Sequence, residues 1–146
     1  MIRVAVVAHA PLASAFKVVA MHVFPECGEE LLAVDISPED DRERATARVL
    51  EVVGSDADTL ILTDVFGATP CHAAMAAADG QRVRVVAGMS VPMLWRVLCY
   101  RAESLDDLVA RAMDGAARGL MTMSTSRPQN QINRSSAHAQ VLHHDQ

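Results

Sequence analysis

Aromatic residues are scarce in this sequence of 146 residues, where one Trp, one Tyr and three Phe make up 3% of the chain. Proteins that bind single-stranded nucleic acid stack its bases on exposed aromatic rings. Basic residues are also in the minority, with 13 Lys and Arg against 18 Asp and Glu and a formal charge of −5. Because this balance disfavours a polyphosphate ligand, we expect no nucleic-acid partner.

Glycines, cysteines and apolar runs are equally limited. The seven glycines form no Gly-rich nucleotide-binding motif, and Cys27, Cys71 and Cys99 do not have the spacing of metal ligands. No apolar run approaches the roughly 20 residues that span a bilayer. The sequence therefore predicts no metal or nucleotide cofactor, no direct membrane insertion, and free thiols in a reducing cytoplasm.

Apolar residues still make up 51% of the chain, which is enough for one folded domain of this length. Short β-branched runs alternate with amphipathic segments, and this order predicts an α/β fold with an open, mostly parallel four-stranded sheet and helices on both faces. A fifth, short strand is predicted over 119–123. Composition becomes polar after residue 123, so we expect a domain over 1–123 and a mobile tail over 124–146. The predicted strands of the main sheet cover 2–8, 31–36, 59–63 and 83–87.

Capping residues mark the helix starts in this pattern. The predicted helices are 13–23, 38–53 after Ser37, 70–78 after Thr69, 91–100, and 105–117 after Ser104.

Polar residues follow the predicted strands where ligands bind in an open parallel sheet, beyond the carboxyl ends of the strands. His9 follows the first strand, Asp35 ends the second, Asp64 follows the third and Ser90 follows the fourth. A neutral imidazole is nucleophilic through one ring nitrogen. A carboxylate bonded to the other nitrogen fixes the tautomer, and Asp64 is the natural candidate.

A turn of small residues, Gly67, Ala68 and Thr69, leads into a predicted helix. Free backbone N–H groups at such a helix start bind anions. Together with His9 and Asp64, this anion site favours a phosphoryl group carried on His9. A different hypothesis is a small hydrolase or reductase that uses Cys71 and His72. The simpler interpretation is that Cys71 is a buried, unreactive thiol and His72 a surface histidine.

Three segments with these residues resemble the mannose/fructose-type IIA domain of the bacterial sugar phosphotransferase system. They are Val-Val-Ala-His at 6–9, Leu-Thr-Asp-Val-Phe-Gly-Ala-Thr-Pro-Cys-His-Ala-Ala at 62–74, and Val-Ala-Gly-Met-Ser-Val-Pro-Met-Leu at 86–94. The resemblance extends over residues 1–123.

This resemblance implies a cytoplasmic phosphotransferase. His9 would accept a phosphoryl group from the phosphocarrier protein HPr and pass it to a IIB component for sugar uptake, with Asp64 orienting its ring. Gly67, Ala68 and Thr69 would bind the phosphate, and Ser90 would support it. Members form homodimers, in which the C-terminal strand can be exchanged between subunits. The alternative is a stand-alone regulatory IIA protein, whose phosphorylation controls binding to a target protein without sugar transport.

The chain departs from the family pattern at four places. Ala10 and Pro11 stand where glycine usually follows the histidine, and Ala68 replaces a second glycine. Ser90 and His72 stand where asparagine is common. An alanine N–H can still bind phosphate, so these departures bear on transfer rate and partner choice.

Overall fold

The structure, a computed structural model, describes residues 1–125 of the chain. Strands and helices alternate through this part, as the α/β prediction requires. Within it, no helix has the length and apolar character needed to cross a membrane. The strands are β1 (Arg3–His9), β2 (Leu32–Ile36), β3 (Thr59–Thr63) and β4 (Val83–Ala87), and the helices are α1 (Leu12–Val23), α2 (Pro25–Glu29), α3 (Arg42–Val53), α4 (Thr69–Ala77), α5 (Val91–Cys99) and α6 (Leu105–Gly119).

The four strands form one parallel sheet in the order β2-β1-β3-β4. Val7 of β1 lies opposite Val34 of β2 and Thr63 of β3. The chain therefore starts in the interior of the sheet, adds β2 on one side, and then adds β3 and β4 on the other. Strand order reverses between β1 and β3, so the loops that leave these two strands at the carboxyl edge lead to opposite faces of the sheet, the place where ligands bind in open α/β sheets.

Side chains of β1 alternate between two apolar layers, which explains why this strand reads as a continuous apolar run. Val4, Val6 and Ala8 pack against α1, α5 and α6 on one face of the sheet. Ala5 and Val7 pack against α3 and α4 on the other. The predicted four-stranded sheet with helices on both faces is confirmed, and it gives the carboxyl edge a rigid support.

The predicted boundaries agree closely for most elements. β3 and β4 have the predicted limits. β1 begins and ends one residue later than predicted, and β2 begins one residue later. The predicted cap of α6 is confirmed, because the Ser104 hydroxyl accepts from the Asp107 N–H at 3.2 Å. Helix α2 was not predicted, since Pro25–Glu29 spans little more than one turn and contains Gly28.

The predicted start of α3 is wrong. Ser37 does not cap it; Asp41 does, accepting from the Arg44 N–H at 2.8 Å. Residues 37–40 form a turn of their own, in which Asp40 accepts from the Ser37 N–H at 2.9 Å and donates its own N–H to the Ser37 carbonyl. The local hydrogen bonds of this turn compete with helix formation, so the helix begins after it.

The predicted fifth strand also needs correction. Gly119 is the last residue of α6, and 120–125 belong to no helix or strand in the structure of the single chain. The helix continues this far because its glycines allow close packing on α5. A Cβ on Gly119 would meet the ring of Pro92 at 2.5 Å. The predicted tail lies outside the described residues from 126 onward.

Candidate functional site

The site lies at the carboxyl edge of the sheet, where the chain leaves β1 and β3 toward helices on opposite faces. His9 is the last residue of β1, and Asp64 directly follows β3. Because Val7 pairs with Thr63, β1 extends two residues past the end of β3, and His9 lies level with the loop that follows β3. The sheet register therefore brings His9 and Asp64 together.

One carboxylate oxygen binds His9 twice. Asp64 Oδ2 accepts the His9 backbone N–H at 3.0 Å and lies 2.7 Å from His9 Nδ1. The His9 side chain is 52% exposed, whereas that of Asp64 is only 12% exposed. Because an ionised carboxylate only accepts hydrogen bonds, Nδ1 carries the proton in this pair. In the neutral tautomer that this pairing favours, Nε2 is the ring nitrogen with the free lone pair.

The Asp64 carboxylate is held in its charged form. Partial burial raises the pKa of this group, but hydrogen bonds from the backbone and ring of His9 and from the Val65 N–H outweigh that effect. The pKa is therefore lower than the usual aspartate value. The other oxygen, Oδ1, accepts the Val65 N–H at 2.9 Å and lies 3.5 Å from the Thr63 hydroxyl.

The loop after Asp64 ends in the start of helix α4. Gly67 has φ +87°, a conformation that favours glycine. Thr69 is not the helix cap, contrary to the prediction; Ala68 takes this position and offers no side-chain acceptor. Thr69 is instead the first helical residue. Since Pro70 has no N–H, Thr69 and Cys71 present the N–H groups of the first turn, with no capping side chain to satisfy them.

Ser90 lies in the loop between β4 and α5. Its hydroxyl oxygen caps α5 by accepting the Met93 N–H at 3.3 Å. The preceding residue, Met89, donates its N–H to the Thr63 carbonyl at 3.1 Å. This bond holds the β4–α5 loop against the end of β3.

Asp35 binds a partner other than His9. Its carboxylate accepts the Ser14 N–H at 3.1 Å, and the Ser14 hydroxyl also donates to it. Ser14 lies in the first turn of α1, which follows His9 after two residues. This contact could not be read from the sequence, because it depends on how α1 and β2 meet in space.

Cys71 and His72 are not arranged as a catalytic pair. Cys71 is buried while the neighbouring His72 is exposed. Among residues 1–125, no three or more His, Cys, Asp or Glu side chains are grouped so that they could hold a metal ion.

Apolar side chains in the segments that adjoin His9 differ in their exposure. Phe66, in the loop after Asp64, is 85% exposed, and Leu12 at the start of α1 is partly exposed. Phe16 and Met89 are instead half-buried and pack against the core. The exposed apolar surface near the site therefore comes from Phe66, from Val65 in the same loop, which is 50% exposed, and from Leu12.

Fold and site define an open-sheet α/β protein with a histidine–aspartate pair where strand order reverses. Residues 3–113 match the family described as PTS system fructose IIA component. The chain is also 32% identical, over 115 residues, to the PTS system sorbose-specific EIIA component of Lacticaseibacillus casei, covering 76% of this chain and 83% of that protein. The chain belongs to this family of phosphotransferase-system (PTS) IIA components.

Solved structures agree on the fold. The mannose/sorbose specific IIA subunit of the phosphotransferase system from Enterococcus faecalis superposes with a TM-score of 0.80 at 22% identity, covering 88% of this chain and 98% of that one. The phosphotransferase system component EIIA from Streptococcus agalactiae gives 0.74 at 21% identity, covering 84% and 97%.

Proposed function

We propose that this protein is a phosphoryl carrier, with His9 accepting a phosphoryl group from phosphorylated HPr and passing it to a IIB component. The observation that carries the proposal is the orientation of the His9 ring. Asp64 binds Nδ1 at 2.7 Å, and the half-exposed ring leaves Nε2 as the nitrogen available to a partner protein.

The transfer step follows from this geometry. The lone pair of His9 Nε2 attacks phosphorus, and a new N–P bond forms. The N–P bond to the histidine of HPr breaks, and its electron pair returns to the HPr ring. The proton on His9 Nδ1 stays in place, because the charged Asp64 carboxylate stabilises the positive ring that results. No metal or nucleotide is needed, since the donor is already a phosphohistidine.

The phosphoryl oxygens would bind Gly67, Ala68 and Thr69. Loops 9–11, 37–41, 64–68 and 88–90 at this edge contain no Lys or Arg, so negative charge must be met by hydrogen-bond donors and the dipole of α4. The N–H groups of the first turn of α4 supply such donors, together with the Thr69 hydroxyl. Ser90 would support the site, because its hydroxyl hydrogen remains free while its oxygen caps α5.

The wider assignment covers location, assembly and role. It implies a cytoplasmic protein whose domain spans residues 1–123 and which forms a homodimer. β4 is an edge strand of the sheet, so the segment after α6 could pair with β4 of a second copy. Onward transfer to a IIB component defines the sugar-uptake role. Phosphate-dependent binding to a target protein, without onward transfer, defines the regulatory alternative.

The test is incubation with enzyme I, HPr and phosphoenolpyruvate, followed by intact-mass measurement. We expect one added phosphoryl group that is labile to acid and stable to alkali. His9→Ala should abolish it, whereas His22→Ala and His72→Ala, which alter two other exposed histidines, should keep it. Labelling that persists in His9→Ala would refute the assignment.

A further inference from the structure

We propose that Asp35 is a positioning residue for His9, an inference that rests on the proposed function. Asp35 lies in β2, next to the strand that carries His9. Its carboxylate accepts the Ser14 N–H at 3.1 Å and also binds the Ser14 hydroxyl. It therefore holds the first turn of α1 from a neighbouring strand.

This contact acts on the segment that fixes the His9 backbone. Only Ala10 and Pro11 separate His9 from α1. The Ala10 N–H donates to the Ile36 carbonyl at 3.0 Å. The turn after His9 is thus tied to the end of β2 at both of its ends, by Ile36 at the start and by Asp35 through Ser14.

Helix α1 depends on this outside carboxylate more than the other capped helices do. Asp41, Ser90 and Ser104 cap α3, α5 and α6 with their own side chains. The N-cap position of α1 is Pro11, which makes no side-chain cap. The Asp35 carboxylate satisfies an N–H of the first turn instead, and its negative charge is favourable at a helix N-terminus.

His9 therefore lies between two carboxylates from the strands on either side of β1. Asp64, after β3, fixes the ring and one backbone N–H, while Asp35, from β2, fixes the turn that follows. Phosphoryl transfer requires the nucleophile to be aligned with the scissile bond, and small displacements of a reacting group are costly. Loss of the Asp35 contact should therefore slow the transfer step, with donor binding little changed.

The matched control is Asp41. It caps α3 at the same edge of the sheet by accepting from the Arg44 N–H at 2.8 Å, but its loop does not lead into His9. Asp35→Ala and Asp41→Ala each remove one capping carboxylate, so both should lower thermal stability. Only Asp35→Ala should disturb His9.

Two measurements test the positioning role of Asp35. In single-turnover transfer from phosphorylated HPr, Asp35→Ala should lower the saturating rate by about tenfold to a hundredfold at similar KM. Asp35→Asn, which keeps an acceptor for the Ser14 N–H, should recover part of the loss, and Asp41→Ala should stay within about twofold of wild type. In the unphosphorylated protein, the ¹⁵N signals of the His9 ring should shift in Asp35→Ala and not in Asp41→Ala.

The two readouts separate this inference from the proposed function. Failure of the wild-type protein to accept a phosphoryl group would overturn the proposed function, and the ring signals would still test the contact. Wild-type ring signals in Asp35→Ala, or a loss of rate no larger than that of Asp41→Ala, would overturn the positioning role.

Discussion

Asp64 Oδ2 accepts both the backbone N–H of His9, at 3.0 Å, and the proton on His9 Nδ1, with the two atoms 2.7 Å apart. A single oxygen thus fixes the position of the residue and the orientation of its ring. This double contact exists because β1 and β3 are neighbours and β1 extends two residues past β3, to the level of the loop that begins with Asp64.

Asp64→Asn should slow phosphorylation of His9 by about a hundredfold or more, because an amide can turn its NH₂ group toward Nδ1 and favour the wrong tautomer. Circular dichroism should show an unchanged fold. The measurement is the single-turnover rate from phosphorylated HPr.

Asp79→Asn is the matched control for this substitution. Asp79 is also a loop carboxylate that accepts several backbone N–H groups, from Gln81, Arg82 and Val83, but it precedes β4 at the opposite edge of the sheet. Its loss should affect stability and leave the rate unchanged. Equal rates in Asp64→Asn and wild type would remove the proposed role of Asp64.

The lowered pKa of Asp64 predicts a pH-dependent contribution to stability. A carboxyl group whose pKa is depressed by folding stabilises the native state above its usual pKa, here 3.8, and this contribution is lost as pH falls through the folded value. The free energy of unfolding of wild type minus that of Asp64→Asn should therefore be fully present above about pH 5. It should shrink as the pH falls below the usual value.

Denaturant unfolding of both proteins across this range provides the test. The difference between them isolates Asp64 from the exposed carboxylates Asp56, Asp79 and Asp114, whose pKa values are also lowered. A difference that does not shrink as the pH falls well below the usual aspartate pKa of 3.8 would contradict the assignment of the charged form.

Phe66 provides a prediction about the partner surface. Its ring is 85% exposed, so Phe66→Ala should change the free energy of unfolding by less than about 0.5 kcal/mol. If HPr docks over the site, the loss of a central aromatic contact should raise KM for phosphorylated HPr by about tenfold. Met113→Ala, an exposed apolar change on α6, should not. A KM that is unchanged in Phe66→Ala would place the docking surface elsewhere.

A substitution at Gly28 tests the close packing of α2 on α1. A Cβ at this position would lie 2.4 Å from the Met21 backbone nitrogen and 2.7 Å from the Ala20 carbonyl carbon. Because backbone atoms cannot move aside cheaply, Gly28→Ala should cost about 3 kcal/mol in the free energy of unfolding. Gly80→Ala, in an open turn at φ +76°, should cost only about 1 kcal/mol. Similar losses in both variants would contradict the close contact.

The sheet could be predicted because its signal is local. Val4 to Ala8 and Leu60 to Leu62 are buried on both faces of the sheet, so each strand appears as a continuous apolar run. The same strands place His9 and Asp64 at one edge, and this much of the site followed from the order of the elements.

The details that the sequence did not predict depend on competition between local hydrogen-bonded turns and helix starts, or on contacts between residues distant in sequence. Ser37 has every local feature of a helix cap, yet the turn that it forms with Asp40 displaces the helix start to Asp41. The pairing of Asp35 with Ser14 joins residues 21 apart in the chain, and no local pattern encodes it. Packing decides whether a helix is capped by its own N-cap side chain or, like α1, by a carboxylate from a neighbouring strand.

The position of the phosphoryl group on the His9 ring tests the central claim most directly. Long-range ¹H–¹⁵N correlation spectra of the phosphorylated protein distinguish the two ring nitrogens. Because Asp64 occupies Nδ1, the phosphoryl group should be on Nε2 of His9, with the Nδ1 proton retained. A phosphoryl group on Nδ1, on His72 or on another histidine would contradict this account of the site.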